Sequence, residues 1–260
     1  VPVTATYATG ATVTVVGNTG NLAKTGYTFA GWNTAADGSG TTYQATNTFT
    51  MTGATVTLYA RWTVLPTVAS LSASTGDIAG GNTITITGTG FTGATGVKIN
   101  GVPVTSFTFV NSTTINVTVP AGTSTGAKSV LVTTPGGTST ANTLYTYTVT
   151  VSFNANGGTG TMANQTASVA TNLTPDGFTP ATGYTAAVPF WSTLPGGGGT
   201  TYPDLTSFPF NTTTVDLTLY AQYTANSNSV IYNKNFANPS SGTVPVTATY
   251  ATGATVTVVG

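Results

Sequence analysis

The chain has 260 residues, no net formal charge and only 4% charged residues, against roughly 25% in an ordinary globular protein. Its five basic residues (Lys24, Arg61, Lys98, Lys128, Lys234) and five aspartates (Asp37, Asp77, Asp176, Asp204, Asp216) leave no electrostatic footprint for nucleic acid or for insertion at an anionic membrane. Histidine, glutamate and cysteine are absent, which removes Ser–His–Asp, Cys–His, zinc–histidine and paired-glutamate constellations together with disulfides. The expectation is a non-enzymatic chain with no cofactor and no metal.

With 10% aromatic residues and abundant Val and Ile, the chain can still bury a core. Thr is very common, and its branched Cβ suits a pleated surface. No stretch approaches the ~18 apolar residues of a membrane-spanning helix.

The chain opens on VPVTATYATGATVTVVG, residues 1–17, and the same seventeen letters return at 244–260, an offset of 243 residues. Chance does not produce this. The sequence is read as one period of a tandem array plus the start of the next. Two explanations stay open: a cut through a periodic polymer, or a donor segment that completes a neighbouring chain by strand addition.

Strand patterns follow along the whole length. Ile84 and Ile86 alternate with Thr83, Thr85 and Thr87, and Ile115, Val117 and Val119 with Thr114, Asn116 and Thr118. Tyr147, Val149, Val151 and Phe153 alternate with Thr146, Thr148, Thr150 and Ser152. This period of two puts one face inward and one toward water. Gly and Pro interrupt about every 8–12 residues, as in sandwiches and small sheets. The Gly196–Gly199 run lacks the Lys-Ser/Thr of a phosphate cradle and reads as a hairpin loop. The prediction is an all-β chain with little helix.

Two segments share one plan. Gly26-Tyr27-Thr28 corresponds to Gly183-Tyr184-Thr185, Thr41-Thr42-Tyr43 to Thr200-Thr201-Tyr202, and LYARWT from Leu58 to LYAQYT from Leu219. The motif GYTFAGWNTAADGSGTTY at 26–43, followed by TLYARWT at 57–63, resembles the Listeria–Bacteroides repeat, the internalin B-repeat type of bacterial surface proteins. The second copy matches in VSFNANGGTGTM at 151–162 and TLYAQYT at 218–224, but Ala186-Ala187-Val188-Pro189-Phe190-Trp191 replaces the usual FxGW, which would bring Trp191 in from a shifted register. The resemblance implies a small β-grasp-like sheet. Between the copies, GGNTITITGTGF from Gly80, VKING from Val97, TINVTVP from Thr114 and KSVLVT from Lys128 resemble an IPT/TIG domain, which implies an immunoglobulin-like sandwich of seven strands in about 80 residues.

The expected organisation is therefore beads on a string: the back part of a repeat at 1–64 lacking its first strand, a sandwich at 65–148, a complete repeat at 149–225, and the front of the next repeat at 226–260. Residues 63–66 read as a short linker. Val230, Ile231 and Tyr232 match the opening strand of the second copy, and with Val244 and Val246 they form a candidate completing segment between units. Trp32, Tyr43 and Trp62 read as core aromatics. Tyr59 and Tyr220, opposite in parity to Leu58/Ala60 and Leu219/Ala221, are the candidate contact residues. The functional expectation is a structural unit of an extracellular, cell-surface stalk, fibre or filament whose partners are neighbouring copies. The alternative is an adhesin module that binds glycan or host protein.

Overall fold

A computed structural model of the chain describes residues 4–232, 244 and 246–257. Among these there are strands and turns but no helix. The chain divides into two compact units, Val1–Gly122 with Ala127–Tyr147, and Thr123–Gly126 with Thr148–Gly260.

The first unit opens with the first repeat: β1 (Thr12–Thr14), β2 (Tyr27–Asn33), β3 (Thr42–Tyr43), β4 (Thr48–Thr50) and β5 (Tyr59–Val64). β2 is central, antiparallel to β3 through Trp32↔Tyr43 and to β5 through Phe29↔Trp62 and Trp32↔Ala60. β1 and β4 form a separate ribbon. Trp32, Val13 and Val15 are buried. The β2–β3 loop is organised by the buried Asn33. Its amide donates to the carbonyls of Gly38 and Gly40 and to Thr42 Oγ1, at 3.0–3.2 Å, and its Oδ1 accepts from the Ala35 and Gly40 amides.

The sandwich follows: β6 (Thr67–Leu71), β7 (Thr75–Asp77), β8 (Thr83–Thr89), β9 (Gly96–Ile99), β10 (Val102–Pro103), β11 (Phe107–Asn111), β12 (Thr114–Thr118), β13 (Gly126–Lys128), β14 (Val130–Thr134), β15 (Gly137–Thr138) and β16 (Tyr145–Asn154). One sheet has the order β10-β9-β14-β15 and the other β11-β12-β8-β6. Alternation places Ile84, Ile86, Ile115 and Val117 on one inner face and Val97, Ile99, Val130 and Val132 on the other, all buried, each worth about 1.5–3 kcal/mol. Tyr145 and Tyr147, also buried, meet edge to face at 5.1 Å. Their hydroxyls donate to Asn82 Oδ1 and to the Pro120 carbonyl. Burial pushes both phenols up, Tyr147 to about 12.

Residues 63–66 are not a free linker. Pro66 is buried, the Thr28 hydroxyl donates to the Gly136 carbonyl, and the Leu65 amide donates to Gly26. Gly136 lies so close to Val64 that any Cβ there would strike the Val64 carbonyl. The first repeat and the sandwich fall in one compact unit, joined through the two residues between β5 and β6 and held at this joint by these contacts. The physical cause is a pair of adjacent glycines, Gly136 and Gly137, that lets two backbones touch.

The second unit holds the rest of β16, then β17 (Gln165–Ala167), β18 (Thr171–Asn172), β19 (Tyr184–Ser192), β20 (Thr201–Tyr202), β21 (Ser207–Phe208), β22 (Leu217–Ala225), β23 (Ser227–Val230) and β24 (Ala248–Ala251). β19, β20 and β22 repeat the plan of β2, β3 and β5, and β18–β21 that of β1–β4.

Two outcomes follow. Gly136→Ala lowers the stability of the first unit by about 1–3 kcal/mol in chemical denaturation, whereas Gly96→Ala, with open space at its Cβ, does not share that loss. Because the Tyr147 phenol is raised in the folded state, its contribution is fully present below pH 10 and is lost as pH rises toward 12. The thermal midpoint therefore falls across that window, and less steeply in Tyr147→Phe.

Candidate functional site

The two repeats differ on one side of their sheets. In the second, residues 148–154 of β16 run parallel to β22, with Val151↔Leu217, Ser152↔Thr218, Phe153↔Leu219 and Asn154↔Tyr220 in register. Side chains lock the ladder. Ser152 Oγ and Thr218 Oγ1 lie 2.9 Å apart, Asp216 accepts from the Thr150 amide, and Asn156 Nδ2 donates to the Ala221 carbonyl at 2.7 Å. β17 covers the other edge of β16 at residues 149–151.

In the first repeat the sheet has the order β3-β2-β5, and among the described residues no strand lies beyond β5. Residues 56–58, which match Leu217–Leu219, are not in a strand at all, so β5 starts three residues late relative to β22. Leu219 is fully buried while Leu58 is only half-buried, and Val56 is 37% exposed. The aromatic core shows the same gap. Trp191 is fully buried against Phe153 at 4.9 Å and Phe190 at 4.8 Å, whereas among the described residues the one aromatic ring that Trp32 meets is Phe29, at 5.2 Å. Its indole donates to the Val16 carbonyl, that of Trp191 to Asp204 Oδ1.

Trp191 does not come from a shifted ladder position. It stands opposite Ala221 and Tyr202, as Trp32 stands opposite Ala60 and Tyr43. The extra residues are taken up in a bulge between Ala186 and Trp191. Val188, at the bulge, is 95% exposed beside a shallow groove lined by Asp176, Phe190, Pro203 and Asp204. Burial and the neighbouring Asp204 push the Asp176 carboxyl up.

The remaining candidates fall as follows. Tyr59 is 42% exposed on the uncovered β5 edge, and Tyr220 is half-buried, its backbone opposite Asn154. Val230 ends β23, which pairs antiparallel with β24 through Ser227↔Ala251 and Val230↔Ala248. This hairpin has the arrangement of β16 with β17. Ile231 is 74% exposed and Tyr232 half-buried just beyond it, and Val244 and Val246 are exposed ahead of β24. Sequence reading singled out residues 230–232 but not residues 56–58, although these align with Leu217–Leu219.

The fold thus defines an all-β repeat protein, two copies of a small sheet flanking an immunoglobulin-like sandwich. Residues 66–147 match the IPT/TIG domain, and residues 1–61 and 147–222 match the Listeria-Bacteroides repeat domain. The chain belongs to the Listeria-Bacteroides repeat family, with an IPT/TIG domain between its two repeats. A predicted Gly-rich membrane protein of Evansella cellulosilytica is 48% identical over 56 residues, covering 20% of this chain and 6% of that protein. A second predicted membrane protein of the same organism is 44% identical over 61 residues, covering 24% and 9%. The chain thus spans less than a tenth of these relatives. Among solved structures, the plexin A4 extracellular region matches with a TM-score of 0.29 at 22% identity over 35% of this chain and 9% of that one. SGBP-B from a xyloglucan utilization locus in Bacteroides uniformis matches with 0.27 at 20% identity over 53% and 45%.

The two copies should respond differently to loss of the central indole. Trp191→Ala removes a fully buried ring and costs about 3–5 kcal/mol. Trp32→Ala costs less, because among the described residues fewer aromatic rings pack on it than on Trp191. Denaturant unfolding followed separately on each unit checks the order.

Proposed function

We propose that this chain is the structural period of an extended surface stalk or fibre outside a bacterial cell, built from copies spaced 243 residues apart. The observation that supports it most is the recurrence of residues 1–17 at 244–260 without a single change. The packed joint at residues 63–66 supports it too, since a stalk needs joints that resist bending. On this reading the chain is extracellular and non-enzymatic, its partners are neighbouring copies, and its work is reach. That the relatives are predicted membrane proteins fits a chain anchored at a cell envelope.

An adhesin role has one feature in its favour, the exposed Val188 beside the groove in the second repeat. The Trp residues are a poorer basis for a glycan platform, because Trp32 and Trp191 are buried.

The test is electron microscopy of the native source with antibody raised against this chain. The expected result is label repeating along thin extended projections. Label confined to compact dispersed particles overturns the proposal.

A further inference from the structure

The first and last strands of the second repeat lie side by side and run the same way. Residues 148–154 of β16 open it and β22 closes it, paired in parallel through Val151↔Leu217, Ser152↔Thr218, Phe153↔Leu219 and Asn154↔Tyr220. The chain therefore enters this ladder at one end, from Thr148, and leaves it at the other, toward Ala225. Tension drawn between those two points pulls β16 back along its own axis and β22 forward along the same axis. That is shear, and it loads every pair of the ladder at once. An antiparallel pair pulled from its open end behaves otherwise. In β23 and β24, Ser227↔Ala251 takes the load first and the remaining pairs follow one by one. A single backbone hydrogen bond contributes little by itself, so the sharing of load decides how much force a sheet withstands.

We propose that the second repeat is a force-bearing clasp, in which tension along the chain is carried in shear by the parallel ladder of β16 and β22. This deepens the stalk reading and rests on it, because a chain held at both ends is what puts the ladder under load. Side chains lengthen the clasp past both ends of its four residue pairs. Ahead of them the Thr150 amide donates to Asp216 Oδ1 at 2.8 Å. Within them Ser152 Oγ lies 2.9 Å from Thr218 Oγ1 and donates to the Leu217 carbonyl at 3.3 Å. Beyond them Asn156 Nδ2 donates to the Ala221 carbonyl at 2.7 Å, and the Tyr223 hydroxyl to the Ala155 carbonyl at 2.9 Å. Sliding β16 out also strips it from β17, with which it pairs at Val149, Thr150 and Val151. It draws the Phe153 ring off Trp191 as well, 4.9 Å away. Val149, Val151, Leu219 and Ala221 are fully buried, so water cannot take the place of a stretched bond until the strands have parted.

The chain has no cysteine, so force handles can be attached at two chosen thiols in the complete chain. Thr146→Cys with Ser227→Cys applies tension in the shear direction. Thr146→Cys with Val215→Cys, an exposed position just ahead of β22, pulls the same ladder apart from one end, starting at Val151↔Leu217. In an optical trap at one loading rate, the first pair of handles should require a rupture force several-fold higher than the second. Adding Ser152→Ala and Asp216→Ala removes the bonds that these side chains make across the ladder. The shear force should then fall by a larger fraction than the peeling force, and the peeling force also shows that the variant is folded. Equal forces in the two directions, a higher force on peeling, or alanine losses no larger in shear than on peeling overturn the proposal. The stalk reading fails separately, since compact particles in the microscope remove it whatever the direction of pulling does to this ladder.

Discussion

The backbone hydrogen-bonding of a sheet edge is the constraint on which the rest of this structure depends. The seventeen repeated residues show it directly, because one sequence meets two surroundings. The Thr9-Gly10 and Thr252-Gly253 turns are alike, with glycine φ of +83° and +82° and a bond from the following alanine amide to the alanine three residues back. That turn is local chemistry, with Gly supplying the positive φ. The flanking residues behave otherwise. Residues 248–251 form β24 where β23 lies beside them, while the identical residues 5–8 form no strand. Conversely, Thr12–Thr14 form β1 against β4, while the identical residues 255–257 form none. A turn is written in the sequence; a strand here needs its partner.

The same dependence runs through the packing. Where the parallel ladder of β16 and β22 exists, Leu219, Ala221 and Trp191 are fully buried and Phe153 stacks on the indole. Where it is missing, Leu58 and Ala60 are half-buried. Half-buried apolar residues deliver only part of the transfer free energy of burial. The first repeat recovers some order from its other side, through the Asn33 network and through the Thr28 and Val64 contacts with Gly136.

How much of this was legible in the sequence depends on the range of the interaction. Alternation marked Ile84, Ile86, Ile115 and Val117 as inward, and they are buried, because a period of two is imposed by the pleat itself. The two repeats and the sandwich were legible from motifs. The position of Trp191 was not. An insertion can be absorbed by a register change or by a bulge, and only the pairing with Ala221 and Tyr202 tells which. The packed joint was hidden too. Gly136 and Gly137 read locally as a turn, and their approach to Val64 and Leu65 is set by contacts some 70 positions apart in sequence.

The edge strands of the first unit differ in how they are blunted. β3, β10 and β15 are edge strands of two residues each, and β10 ends on Pro103. β11 and β6, the edges of the other sandwich sheet, each carry a register irregularity, between Phe109 and Asn111 and between Val68 and Ser70. Shortness, proline and bulges are recurrent ways of making an edge refuse another strand. Residues 56–59, Val-Thr-Leu-Tyr, have no proline and no charge, and their β-branched and aromatic side chains favour pairing. In a chain with so few charges, an edge cannot be defended by repulsion along its length. Residues 56–59 thus carry none of the features that blunt β3, β6, β10, β11 and β15.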